Sequence, residues 1–152
     1  MKKFVSLAGL TAVAALVLVA LAPAAQRAGT YKVSAGLNSR QETPRPKRAV
    51  TAVGSFTGTY VENKAGAVLK WKLSFKRLTG SATAAHIHGG KRGVAGPVIV
   101  PLCGPCKSGQ AGTTKISKAV VAALEGNRAY VNVHTAKNAA GEIRGQVSVK
   151  EG

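Results

Sequence analysis

Aspartate is missing from this chain altogether. All five carboxylate side chains are Glu, set against 22 Lys and Arg, for a formal charge of +17 over 152 residues. That absence excludes an Asp-based catalytic dyad, an Asp-rich calcium loop and a Ser-His-Asp triad with its usual acid. Cysteine is nearly missing too, at two residues, which excludes a disulfide-dense miniprotein. Aromatics are few: Trp71, three Tyr and three Phe. The length leaves room for one ordinary domain and none for a multidomain enzyme. What is abundant points one way. Eighteen Gly and a 45% hydrophobic fraction suit a small β-rich fold with many tight turns, and not a mainly disordered chain.

Lys2 and Lys3 precede an apolar run from Phe4 to Ala22, and Pro23-Ala24-Ala25-Gln26 follows it. A basic start, an apolar middle and a small-x-small end (Ala22-Pro23-Ala24) read as a secretory signal peptide over residues 1–24. The competing reading is an uncleaved anchor, because a run of about 18 apolar residues begins to suffice for a membrane span. Gly9, Thr11 and the alanine-rich composition weaken that span. No Cys follows the run, which argues against a lipid-anchored product. The reading is therefore a leader over 1–24, a short linker over 25–30 and one β domain over 31–149, secreted or periplasmic, with no stable membrane span once the leader is cut. Losing Lys2 and Lys3 leaves a charge of +15.

Within that domain several segments alternate apolar and polar residues with period two, as half-buried strands do. The clearest runs from Leu69 to Lys76: Leu69, Trp71, Leu73 and Phe75 share one face, and Lys70, Lys72, Ser74 and Lys76 the other. The same signal marks 31–37, 50–61, 82–88, 97–102, 128–135 and 142–149. Turn-forming residues separate them at 43–46, 62–66, 89–90, 93, 96–97 and 138–141. One short helix is predicted, capped by Ser117, striped by Val120, Val121 and Leu124, and ended by Gly126. The expected fold is all-β: an antiparallel, Greek-key-like sandwich or small barrel with one short helix.

The three histidines fall on two of these strands. His86 and His88 share a face with Ile87 opposite, and His134 shares a face with Tyr130 and Asn132, with Val131 and Val133 opposite. If Ile87, Val131 and Val133 face the core, all three imidazoles point away from it and can converge on an exterior site. His-x-His on a strand is a natural pair of metal ligands, since same-face residues lie about 6.5–7 Å apart along the strand. Three imidazoles suit copper or zinc, and the Irving–Williams order favours Cu(II) among divalent ions. The alternative is a set of hydrogen-bonding histidines that organise a turn. Glu142 and Arg144 also share a face. They are read as an ion pair in preference to Glu142 orienting an imidazole. Glu42 and the glycines around His88 are read as turn chemistry.

These blocks carry a resemblance. Ala82 to His88, Gly96 to Val100, Ala129 to Thr135 and Gly141 to Val147, with the earlier Gln41-Glu42-Thr43-Pro44, closely resemble the CHRD domain, the module named from chordin and also found singly in secreted bacterial proteins. The likeness spans roughly residues 31–149. It implies an all-β extracellular module with a binding role and no settled activity for single-domain members. A more distant likeness links Leu78-Thr79-Gly80 and His86-Ile87-His88 to the copper-binding strand of Cu/Zn superoxide dismutases. Those enzymes use four copper-site His and a zinc-site Asp, so three His and no Asp leave metal binding without the zinc subsite.

Cys103-Gly104-Pro105-Cys106 matches the thioredoxin redox tetrapeptide, but Lys107 to Gly112 reads as loop, with no helix to lower a thiol pKa. In an exported protein the spacing favours a local disulfide pinning the turn. Free thiols serving as Cu(I) ligands are the other possibility. The basic residues cluster at 45–48, at Lys70, Lys72, Lys76 and Arg77, and at Lys91-Arg92. The Lys70, Lys72 and Lys76 face is a candidate polyanion-binding patch, against the plainer reading of a solvated sheet face. No aromatics interleave with the charges, so specific nucleic-acid recognition is not expected. The sequence thus reads as a non-enzymatic exported binding module. Its partner is an extracytoplasmic protein or an anionic cell-surface polymer, with copper handling through His86, His88 and His134 as the alternative function.

Overall fold

The computed structural model of the protein describes residues 29–46 and 51–152. The expected leader, most of the linker and the Lys47-Arg48 pair lie outside the described residues. Nine strands and one helix follow in order: β1 (Thr30–Asn38), β2 (Val53–Asn63), β3 (Gly66–Lys76), β4 (Ala82–Gly89), β5 (Val98–Cys103), β6 (Gln110–Ser117), α1 (Lys118–Glu125), β7 (Ala129–Thr135), β8 (Asn138–Gln146) and β9 (Ser148–Glu151). A single 3₁₀ turn, Ser39–Gln41, follows β1. Every strand pairing is antiparallel, in the order β5-β4-β7-β8-β1-β2-β3-β6, with β9 also on β1. The two ends of that order, β5 and β6, approach each other, so the sheet curls into a nearly closed barrel.

Alternation decides which faces meet inside. Val33, Ala35 and Leu37 of β1, Phe56 and Tyr60 of β2, and Leu69, Trp71 and Leu73 of β3 are all buried, while Ser34, Thr57, Thr59, Lys70 and Lys72 on the alternate positions face out. Ile87, Val131, Val133 and Ile143 fill the other wall at zero exposure. The Trp71 indole lies against Gly112, its cross-strand partner, where a Cβ would collide with the ring. Its Nε1–H donates to the Thr114 hydroxyl at 3.2 Å. An eight-residue helix is marginal by itself. α1 is held by the Ser117 hydroxyl, which accepts the Val120 N–H, and by burial of Val120, Val121 and Leu124, at roughly 1.5–3 kcal/mol for each fully buried side chain.

Several boundaries differ from the sequence reading, three of them for a reason that lies in the tertiary pairing. The predicted loop after Cys106 becomes strand from Gln110, because β6 pairs with β3 along its full length and so gains a ladder that local sequence does not reveal. The turn expected at 138–141 lies instead at 136–137, and β8 begins at Asn138. The single strand expected over 142–149 breaks at Val147, whose N–H donates to the Ala129 carbonyl as its side chain turns inward.

Candidate metal centre

His86 and His88 project from β4 and His134 from β7, on the side of the sheet opposite Ile87, Val131 and Val133. Three potential ligand nitrogens, one from each ring, lie within 4.8 Å of one another. His86 Nδ1 and His134 Nε2 are 3.1 Å apart. The cross-strand register explains the convergence: His134 sits opposite Ala84, one step diagonally from His86, and neighbouring antiparallel strands bring such residues within side-chain reach.

Backbone carbonyls fix two of the rings. His88 Nδ1 lies 2.8 Å from the Gly96 carbonyl, and His134 Nδ1 lies 2.9 Å from the Ala139 carbonyl. A carbonyl only accepts, so both Nδ1 atoms carry the proton and both Nε2 atoms present lone pairs. The proton between His86 and His134 then belongs to His86 Nδ1, which donates to His134 Nε2. His88 Nε2 is buried and has no hydrogen-bond partner. Orientation of a ligating imidazole by a carbonyl on its other nitrogen is the usual support for a metal-binding histidine.

Electrostatics favour the neutral, ligating form. Burial first, then the charges of His134 and His88, holds His86 below the ordinary imidazole value. Burial also lowers His134, partly offset by its bond to Ala139. A metal bound at about 2.0–2.1 Å from each nitrogen needs ligand separations of about 3.3–3.5 Å. The His86–His134 pair is already close, and the His88 nitrogen lies within 4.8 Å of both. The donor set is nitrogen alone, with no carboxylate or thiolate in the group.

A covered polar layer extends from the centre, and sequence reasoning missed it. Tyr130 stacks on His88 (centroids 5.0 Å apart, planes 13° apart), and the Arg144 guanidinium lies 3.3 Å over the Tyr130 ring centroid. Tyr130, Asn132 and Arg144 are buried although they face away from the barrel core. The loop after β4 folds back over them: Arg144 donates to the Lys91 and Val94 carbonyls, and the Tyr130 hydroxyl accepts the Gly96 N–H. Gly96 therefore does more than make a turn, since its carbonyl orients His88. A Cβ there would overlap the Gly89 carbonyl. The Gly-rich spacing between Gly89 and Pro97 was the available signal.

The expected Glu142–Arg144 ion pair does not form. Glu142 instead accepts hydrogen bonds from the Thr79 N–H and hydroxyl (2.7 and 2.6 Å), the Thr135 hydroxyl (2.6 Å) and the Asn138 amide (2.9 Å). Burial raises its pKa, but these bonds outweigh it and hold the carboxyl below the usual carboxylate range. Glu42 has the opposite fate. It does serve its turn, as Oε1 accepts the Thr43 N–H. The carboxyl is nonetheless 3% exposed, and Oε2, facing Gly141, has no partner with sound hydrogen-bond geometry even though Asn132 is near. Burial pushes its pKa up to about 7, against the smaller opposing effects of Thr43, Arg144 and Asn132.

The other predicted residues lie elsewhere. Cys103, the last residue of β5, and Cys106, in the loop that leads to β6, form a disulfide. Cys106 packs into the core and its N–H bonds to Ala82, so the pair lies apart from the imidazoles and offers no thiol ligand. Lys70, Lys72 and Lys76 stand exposed on β3, four strands from β7 in the sheet.

The CHRD domain profile matches residues 33–147. The chain belongs to the CHRD domain family. No curated protein and no solved structure matches it, so the likeness to superoxide dismutases rests on the histidine motif alone. A CHRD domain with a local disulfide is an extracellular-type module with a binding role. Among the described residues no helix is long and apolar enough to cross a membrane.

Proposed function

We propose that this protein is an exported, non-enzymatic CHRD module that binds copper through His86, His88 and His134. One observation carries the reading: the three imidazoles converge within 4.8 Å, with carbonyl bonds at Nδ1 leaving the lone pairs of His88 and His134 on Nε2, of which that of His134 accepts from His86. Copper is preferred over zinc because an all-imidazole donor set follows the Irving–Williams order without a counteracting geometric cage. The lone pair of His88, buried without a hydrogen-bond partner, gains a bond when the ion arrives. Metal binding requires His86 to give up its bond to His134 Nε2, either by turning its unprotonated Nε2 to the ion or by moving its proton from Nδ1 to Nε2. The basic signal-like start and the family's extracellular character support export.

The test is a titration of the secreted protein with Cu(II), Cu(I) and Zn(II), beside a His86→Ala/His88→Ala/His134→Ala variant. One-to-one copper binding that vanishes in the variant is the expected result. Tighter zinc than copper binding would reassign the metal. Equal, weak binding by both proteins would make the histidines structural and leave the family's protein-binding role as the function.

A further inference from the structure

The barrel wall far from the histidines carries a second, independent feature. The sheet sorts the chain's charges by face. Of the five Glu, Glu42 and Glu142 are buried. Glu125 accepts the Tyr60 hydroxyl proton, and Glu62 and Glu151 surround the same Tyr31–Tyr60 pair at one end of the barrel. With no Asp in the chain, no carboxylate is left for the outer face of β9, β1, β2, β3 and β6.

That face presents lysines. Lys150, Lys32, Lys70, Lys72 and Lys115 are all exposed and share its parity. One cross-strand row reads Lys150, Lys32, Thr59, Lys70, Thr113, and the next reads Ser148, Ser34, Thr57, Lys72, Ala111. With strands about 4.8 Å apart and same-face residues about 6.8 Å apart, neighbouring lysines are rooted roughly 5–10 Å apart on the convex outer face of the barrel. Lys150 and Lys32 stand directly opposite each other, a like-charge pairing that weakens a sheet. The hydroxyls between the lysines are donors. Arginine and aromatic residues are absent from these rows.

We infer that this lysine–hydroxyl face binds a flexible anionic polymer with phosphodiester repeats. Point-like, rotatable ammonium groups suit phosphates spaced along a mobile chain, whereas bidentate carboxylate recognition uses Arg. The lysine-rich surface has no aromatic anchor for a protein partner and no stacking platform for single-stranded nucleic acid. It has no apolar wedge for a bilayer beyond Val61 and Val68 at one corner and the half-buried Val53 at the other end of β2.

Binding of the exported protein to poly(glycerol phosphate) tests this directly. With four to five ammonium groups engaged, counterion release predicts a loss of about 50–130-fold in affinity between about 50 and 200 mM salt. Replacing Lys32, Lys70, Lys72, Lys115 and Lys150 together by Gln should cost at least about 100-fold at the lower salt and flatten that salt dependence. A control variant with Lys64, Lys91, Lys107, Lys118 and Lys137 changed to Gln should keep affinity within about threefold. An equal loss in the control overturns the proposal in favour of diffuse net charge. Equal binding of polygalacturonate, a polycarboxylate, overturns the phosphodiester assignment. Tighter, face-dependent binding to phosphatidylglycerol vesicles than to the polymer overturns it in favour of a membrane.

Discussion

Replacing Glu42 by Gln should stabilise the protein at alkaline pH, and the gain should grow with pH. Burial raises the Glu42 pKa from 4.5 to about 7, and each unit is worth about 1.4 kcal/mol. For an acid raised in the folded state, the unfolded chain ionises first. Wild-type stability therefore falls as pH rises from about 4.5 through about 7. Linkage puts the penalty at about 1 kcal/mol near pH 5 and about 3 kcal/mol near pH 8. Gln keeps the shape and never ionises. Relative to wild type, Glu42→Gln should gain about 2–2.5 kcal/mol between about pH 5 and pH 8. All other titrating groups cancel in that difference. Urea denaturation followed by the fluorescence of Trp71, the single and buried tryptophan, reads it out. A gap that stays constant with pH, or a variant less stable at pH 8 than at pH 5 relative to wild type, would refute the argument. Glu42 would then be an ordinary carboxylate ionised beside Arg144.

Further expectations follow from the same packing. Glu142→Gln should destabilise the fold by about 2–4 kcal/mol, because a carboxylate accepting four hydrogen bonds is replaced by a group with half the acceptor capacity. Its lowered pKa makes its wild-type contribution full above about pH 4.5 and lost as pH falls through the folded value, so denaturation curves of the two proteins should converge in acid. Gly96→Ala should weaken copper binding by about 10–100-fold through loss of the carbonyl that orients His88, with thermal unfolding used to confirm that the barrel persists. Changing Cys103 and Cys106 to Ser should cost only about 2 kcal/mol, the chain-entropy value for so short a loop. It should leave the copper titration unchanged, since the disulfide stands apart from the imidazoles.

The sequence by itself determined the class of fold. Period-two alternation, as in Leu69 to Lys76, is a local property, and burying the apolar face of such strands leaves few options besides a sandwich or barrel. It also determined the helix, since the Ser117 cap, the apolar stripe and Gly126 all lie within ten residues of one another. The facing of His86, His88 and His134 followed from the same alternation. Tertiary structure decided everything that depends on which strands are neighbours. The β4–β7 register joins residues about fifty positions apart and brings the imidazoles together. Pairing with β3 turned the residues after Cys106 into strand. The fate of the carboxylates was least legible. Arg144 stands two residues from Glu142, yet the loop after β4 takes the guanidinium and Thr79, more than sixty residues upstream, takes the carboxylate. Proximity along the chain offers a partner, but only packing decides which partner a buried charge must use to replace water.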